Sequence, residues 1–327
     1  MLSFSRRNVV LSAATAAAAF GLDGRLEILP SAHAQQGGGA TPMNPKALKH
    51  HKFKIGSIEV TQIFDGAVER DHNASFIKNA SVDDTKAALK AAGLPEAKVP
   101  NTYTITVVKL GNRTVMFDSG NGFAGRPNTG LLEDGMKDAG IDPTKINSIL
   151  VTHFHPDHIS GLVAKDGSQV FGQTEIIMPE TEYKYWTDPL VVATLPEARQ
   201  ALAKRIQLTF PTWTNIRQVK ADTEVVAGIR SVATNGHTPG HTSYHLSSGD
   251  QQLMVLGDVT NIPAINLRNP GWHIGFDQDA KQAEETRRKT FDRAIADKIV
   301  CTGYHWGMPG AGTVAKDGKG YVLTPVG

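Results

Sequence analysis

Along this chain apolar positions alternate in short stretches more often than they recur at helical spacing. Residues 53–63 alternate roughly apolar and polar, and residues 103–108 and 114–117 flank Gly111-Asn112, the pattern of two strands joined by a hairpin turn. Ser81 with Asp84 three residues on makes an acidic variant of the capping box, opening a helix to Ala92 that Gly93 and Pro95 stop. Residues 131–139 read as a second helix ended by Gly140, and residues 146–152 as a short apolar strand. The second half repeats the plan. A strand at 176–178 precedes a helix at 196–208 with Ala201, Leu202 and Ile206 on one face. Strands at 225–226, 229–233, 243–246 and 253–256 follow, then the longest helix signal at 280–296 and a last buried strand at 299–301. No solenoid period of about 20–50 residues is present. Each half runs strands, helix, then an apolar strand ending in metal-binding residue types, which predicts two β layers faced by helices in one domain.

The N-terminus departs from this pattern. Ser5-Arg6-Arg7-Asn8 opens a positive region, an Ala-rich apolar stretch runs to Leu22, and Ala32-His33-Ala34 supplies a small-x-small cleavage motif. Residues 1–34 are therefore expected to be a twin-arginine-like signal that exports the folded protein to the periplasm. The apolar stretch is too short for a membrane span of about 20 residues. Residues 35–50, with Gly37-Gly38-Gly39 and two prolines, read as a flexible leader, and residues 51–327 as the single domain.

Composition narrows the chemistry. With 34 Lys+Arg against 32 Asp+Glu in 327 residues, the formal charge of +2 gives no electrostatic case for nucleic acid or an anionic membrane. The single Cys301 excludes an intrachain disulfide and a Cys-rich zinc finger, and its apolar strand makes it a buried small hydrophobe. Twelve histidines then call for an explanation.

Four possible metal ligands, three His and one Asp, crowd into Thr152-His153-Phe154-His155-Pro156-Asp157-His158, directly after an apolar strand. In an extended chain His153 and His155 point to one side and can meet one ion, while a turn at Pro156 redirects Asp157 and His158 toward a neighbouring one. Imidazole with carboxylate suits Zn²⁺, and the lack of thiolate argues against a closed structural site. Further candidates follow later strands: His237 and His241 in Gly236-His237-Thr238-Pro239-Gly240-His241, Asp258 in Gly257-Asp258, and His305 in Gly303-Tyr304-His305. Each falls at the carboxyl end of a strand, where sheets of this kind gather their sites.

Taken in order, these four motifs resemble the metallo-β-lactamase-fold superfamily of metallohydrolases, over about residues 53–320. The resemblance implies an α/β four-layer αββα sandwich with a dinuclear site at the sheet edges and two Zn²⁺ per chain. It implies His153, His155 and His237 around one ion, Asp157, His158 and His305 around the other, and Asp258 bridging them. Asp157 and Asp258 then carry the catalytic roles, Asp157 by orienting the attacking water. His241 is read as a supporting residue and Asp118, in Phe117-Asp118-Ser119-Gly120, as an acidic residue beneath the site.

Within the superfamily, His155 stands where flavo-diiron relatives carry Glu, and the presence of Asp258 disfavours antibiotic hydrolysis. The short stretch after His305 leaves no room for the helical glutathione-binding region of glyoxalase-type thioesterases. The chain is similar to the exported branch that includes methyl parathion hydrolase, broad lactonases and aryl esterases, as in its Gly303-Tyr304-His305-Trp306 run. That implies a small ester-type substrate: a lactone, an aryl ester or a phosphotriester. Phe123 and Trp186 are the expected pocket aromatics. The competing readings are a periplasmic metal-binding or substrate-capture protein on the same fold, and a β-lactam or thioester hydrolase. No nucleic-acid partner and no stable membrane span are expected, and the Leu/Ala-rich N-terminal half is compatible with a homodimer.

Overall fold

A computed structural model describes residues 49–326. The expected signal at 1–34 and nearly all of the expected leader lie outside the described residues. The first strand, β1 (His50–Ile55), takes up the leader's last position and turns at Gly56-Ser57 into β2 (Ile58–Arg70). The alternation over 53–63 therefore belongs to two strands. Its phase slips at the turn because Phe53 pairs with Val60 and Ile55 with Ile58, so that paired side chains share a face.

Five more strands complete the first sheet in chain order: β3 (Val99–Leu110), β4 (Arg113–Phe117), β5 (Ser148–Leu150), β6 (Glu175–Pro179) and β7 (Ile216–Val219). Pairing is antiparallel from β1 to β4 and parallel from β4 to β7. The second sheet runs β8 (Glu224–Val226), β9 (Ile229–Ala233), β10 (Thr242–Ser248), β11 (Gln251–Val255), β12 (Val300–Thr302), β13 (Ala311–Asp317) and β14 (Gly320–Pro325). Only β11 and β12 pair in parallel there. The terminal hairpin β13–β14 and the edge strand β7 carry too few alternating apolar residues to stand out in the sequence.

Helices follow their capping signals. In α1 (Val82–Ala91) the Ser81 side chain accepts from the Asp84 N–H while Asp84 accepts from the Ser81 N–H, a complete capping box. Gly140 closes α2 (Leu132–Ala139) in the left-handed conformation. A short α3 (Pro156–Ile159) starts on Pro156, whose fixed φ suits a first helical position. Then come α4 (Glu180–Thr187), α5 (Val191–Thr194), α6 (Glu197–Thr209) and α7 (Ala280–Ala296). In α6 Ile206 is buried and Leu202 packs half-buried against the core as expected, whereas Ala201 is exposed and Ala203 takes the inward place.

Three apolar layers make this an αββα sandwich. Between the sheets lie Ile58, Val60, Val108, Phe117, Leu150, Ile177, Tyr244, Leu246 and Val255. Outside the first sheet Met116, Ile149, Met178, Met136, Ala203, Ile206 and Phe210 pack with α2 and α6, and outside the second Met254, Leu256 and Cys301 meet Phe291 and Ala294 of α7. No helix among the described residues is long and apolar enough to cross a membrane. Leu246→Ala, emptying a fully buried position between the sheets, is expected to cost about 2–5 kcal/mol in denaturant unfolding.

Candidate metal centre

The apolar filling between the sheets gives way to polar contacts along β3. Val108 packs between the sheets, whereas Thr106 bonds Gln62 and the Thr302 hydroxyl, and Thr104 and Thr102 donate to the carbonyls of Gly307 and His305. At this polar end the segments after β4, β5, β9, β11 and β12 converge. They carry Asp118, the residues from His153 to His158, His237 with His241, Asp258, and His305.

Two groups of ligand atoms form, His153, His155, His237 and Asp258 in one and Asp157, His158 and His305 in the other, each within 4.8 Å. In the first, Nδ1 of His155 lies 3.0 Å from Nε2 of His153 and 2.9 Å from Nε2 of His237. Asp258 joins the groups. Its Oδ2 is 3.3 Å from Nε2 of His237 and 3.1 Å from Nε2 of His305, and its Oδ1 is 3.3 Å from Nε2 of His158. Asp157 Oδ2 stands 3.5 Å from His305 and 3.6 Å from His158. It is also the most exposed of the carboxylates, so the site opens on its side.

The far ring nitrogens are held from behind. His237 Nδ1 meets Asp277 at 2.8 Å, His158 Nδ1 meets Asp118 at 2.8 Å, His153 Nδ1 meets the Thr152 hydroxyl at 3.0 Å, and His305 Nδ1 meets the Thr102 carbonyl at 2.7 Å. Such partners fix which nitrogen faces an ion. Asp118 adopts φ +62°, and both its oxygens also accept from Thr152. His241 accepts the Asp258 N–H on Nε2 at 3.0 Å, so it steadies the backbone of Asp258 from behind.

Charge completes the description. Burial, with the neighbouring imidazoles, pushes His153 and His155 well below the usual histidine range. Burial also opposes charge on His158, but Asp258, Asp118 and Asp157 outweigh it and carry that imidazole well above its ordinary value. Against the same cost, Asp258 and Asp277 raise His237 to about 9. Burial pushes His241 down to about 3. Asp258 resists burial and lies well below the usual carboxylate range, held there by His305 and His158.

These residues fit a metal. Facing imidazole nitrogens at 2.9–3.0 Å approximate the separation of roughly 3.3 Å around a tetrahedral ion with N–metal bonds of ~2.0–2.1 Å. His158 Nε2 and Asp258 Oδ1 are buried without a hydrogen-bond partner, as atoms that await a cation would be.

The pocket aromatics fall elsewhere. Trp186 is fully buried, with its indole N–H on Glu182, so it packs in the core and faces no open pocket. Phe123 is exposed and lines a cavity of about 650 Å³ whose walls include none of the seven ligand-type residues. Of the remaining histidines, His50, His72 and His273 pair with Asp138, the Glu96 carbonyl and Glu284. Sequence reasoning passed over Asp277, Glu182 and Tyr103, and no local spacing marks any of them. Tyr103 packs edge-on to His305 at 5.4 Å; burial and the Asp157 charge keep its phenol protonated.

A two-sheet αββα sandwich with paired His/Asp clusters at the strand ends defines a metal-binding class of α/β protein. Residues 99–302 match the family described as Metallo-beta-lactamase superfamily, and the chain belongs to it. It is 26% identical over 154 residues to an N-acyl homoserine lactonase of Bacillus sp., a match covering 47% of this chain and 54% of that enzyme. The chain thus spans about half the length of the curated relatives it matches. Among solved structures it resembles AidC, a dizinc quorum-quenching lactonase, with TM-score 0.76 and 25% identity over 85% of this chain and 97% of that one. It also resembles the hydrolase AbOPH, with TM-score 0.80 and 26% identity over 86% and 99%.

Metal ligands must be deprotonated, so a divalent ion held by His158 and His237, whose proton affinity is raised, would have to compete with protons there. Zn²⁺ binding at pH 7 is expected to release protons, seen in calorimetry as a heat that depends on the buffer. Because Asp258 and Asp277 raise His237 to about 9 against its burial, apparent affinity should climb with pH toward that value and weaken as pH falls.

Proposed function

We propose that this chain is a metal-dependent hydrolase of ester-type small molecules, lactones foremost, working through two divalent ions, Zn²⁺ by preference. The observation that carries this reading is the sharing of Asp258 between two ligand clusters, five imidazoles and two carboxylates with no thiolate. The similarity to lactonases supports lactones over aryl esters and phosphotriesters. His153, His155, His237 and Asp258 would hold one ion, and Asp157, His158 and His305, with Asp258, the other. Such a pair supplies Lewis acidity and lowers the pKa of coordinated water.

The chain's own residues do the rest. Asp157, on the open side, accepts a proton from the attacking water and orients it. Tyr304 fixes Asp157 by donating its phenol proton to the Asp157 carbonyl at 2.5 Å while stacking on the His158 ring at 3.8 Å. Tyr103 accepts from Asn101 at 2.7 Å and keeps its own O–H for a substrate oxygen. Phe276, exposed and next in sequence to Asp277, carries Arg70 over its ring at 5.5 Å and would offer an apolar surface to an acyl or aryl group.

Purified protein assayed for metal content and against a lactone, a nitrophenyl ester, a phosphotriester and a cephalosporin tests the proposal. Hydrolysis with the lactone preferred is expected. His155→Ala and Asp258→Ala should fold, lose bound metal and lose hydrolysis together. Full activity in metal-free His155→Ala overturns the reading, and metal binding without turnover of any ester selects the capture protein instead.

The proposal extends to location, on the strength of Arg6-Arg7 and Ala32-His33-Ala34. Fractionation and N-terminal sequencing should find a chain cut after Ala34 in the periplasm, and an uncut cytoplasmic chain overturns that part.

A further inference from the structure

Glu182 makes no hydrogen bond or ion pair with any of the seven ligand-type residues, yet it is fully buried at the third position of α4. Its Oε1 accepts from the Phe154 N–H at 3.0 Å and the Trp186 indole N–H at 2.7 Å. Its Oε2 accepts from the Thr238 hydroxyl at 2.8 Å and the Gly240 N–H at 2.9 Å. Four donors around two oxygens match an ionised carboxylate with its acceptor capacity filled. Desolvating a carboxylate with only neutral partners is costly, and an apolar side chain would fill the same space without that cost. The donors explain its presence. Phe154 lies between His153 and His155, and Thr238 and Gly240 lie between His237 and His241. Gly240 permits the contact, since a Cβ there would come within 2.1 Å of the Glu182 nitrogen.

We infer that Glu182 is a positioning residue whose carboxylate ties the segment after β5 to the segment after β9 and so sets the approach of His155 to His237, and with it the affinity of the first cluster for metal. The inference rests on the metal-site reading proposed above. Trp186, the remaining donor, belongs to the helix of Glu182 itself and steadies the carboxylate without joining either segment.

Glu182→Gln isolates this role. The amide is nearly isosteric, but its NH₂ must face either the Phe154 or the Gly240 N–H, so one tie is replaced by two opposed donors. Full-length wild type, Glu182→Gln, Thr238→Val and Trp186→Phe are loaded with Zn²⁺ against a competing chelator, and with Co²⁺ for its ligand-field absorption. Glu182→Gln is expected to bind its tighter ion about 10–100-fold more weakly, with an altered Co²⁺ spectrum. Thr238→Val, which removes a single donor, should weaken it less, and Trp186→Phe should keep wild-type affinity and spectrum. Wild-type affinity and spectrum in Glu182→Gln overturn the inference, as does an equal loss in Trp186→Phe, which would make the carboxylate a packing element. Should Glu182→Gln fail to fold, unchanged affinity in Thr238→Val overturns it. A wild-type protein that binds no metal defeats the metal-site reading itself, a result distinct from all of these.

Discussion

The site depends on one buried carboxylate. Asp258 is 3% exposed and lies within 3.3 Å of three imidazoles from three separate segments. A carboxylate so far from water is stabilised by hydrogen-bond donors or positive charge beside it, and here three imidazoles supply them. Asp258 raises the proton affinity of His158 and His237 against their burial, while burial lowers that of His153 and His155. Metal bound at these clusters would supply positive charge in place of protons. The cluster would thus exchange one form of positive charge for another around a fixed anion, a direct physical reason for its metal binding to be linked to pH.

Holding that anion in place shapes the fold around it. The two sheets could pack through aliphatic side chains along their whole length, and at the end far from the site they do, through Ile58, Val60, Val108 and Leu246. Toward the site the interface becomes a row of threonines with Gln62 bonded to Thr106, and Thr106 bonds across to the Thr302 hydroxyl while Thr102 and Thr104 donate to the carbonyls of His305 and Gly307. Polar pairing is directional where aliphatic packing is not, so this end of the sandwich has a defined relative height of its strands. Thr152 makes the same point at smaller scale. Its hydroxyl donates to Asp118 and stands 3.0 Å from His153, its carbonyl accepts from Thr242, and one residue thereby links β5, the segment after β4 and β10.

How much of this was legible follows from how local each signal is. The capping box at Ser81, the stop at Gly140 and the Gly111-Asn112 hairpin depend on residues within a few positions of one another, and sequence shows them directly. The clustering of the His and Asp motifs was legible for a related reason. Extended backbone puts His153 and His155 on one side, and a strand end followed by glycine is recognisable without knowing what it meets. Supporting residues are different. Asp277 reaches His237 across 40 positions of chain and Glu182 reaches Gly240 across 58, with nothing in their own neighbourhoods to distinguish them from surface carboxylates. Trp186 misled for the same reason: an aromatic after a strand suits a pocket or a core, and only the buried partner for its N–H decides.

Those distant supports share a logic. The segments that carry the ligands leave the sheets, so their backbone N–H and C=O groups lose the partners a ladder supplies and must find others. From the first-sheet side Glu182 accepts backbone N–H groups of the segments after β5 and β9. From α7, on the second-sheet side, the fully buried Arg287 donates to the carbonyls of Val259 and Pro270 and pairs with Asp277 at 3.3 Å, behind His237. An anion collects donors on one flank and a cation collects acceptors on the other. Both are ionised, so each bond is stronger than a neutral one and each loss leaves a backbone group unpaired in a dry interior, at about 1–3 kcal/mol. His237 is gripped from both flanks, through Thr238 by Glu182 and through Asp277 by Arg287. The imidazole that completes the first cluster is therefore placed by the outer helices of the sandwich as much as by the strand it follows, which gives those helices a part in shaping the cluster as well as in burying the sheets.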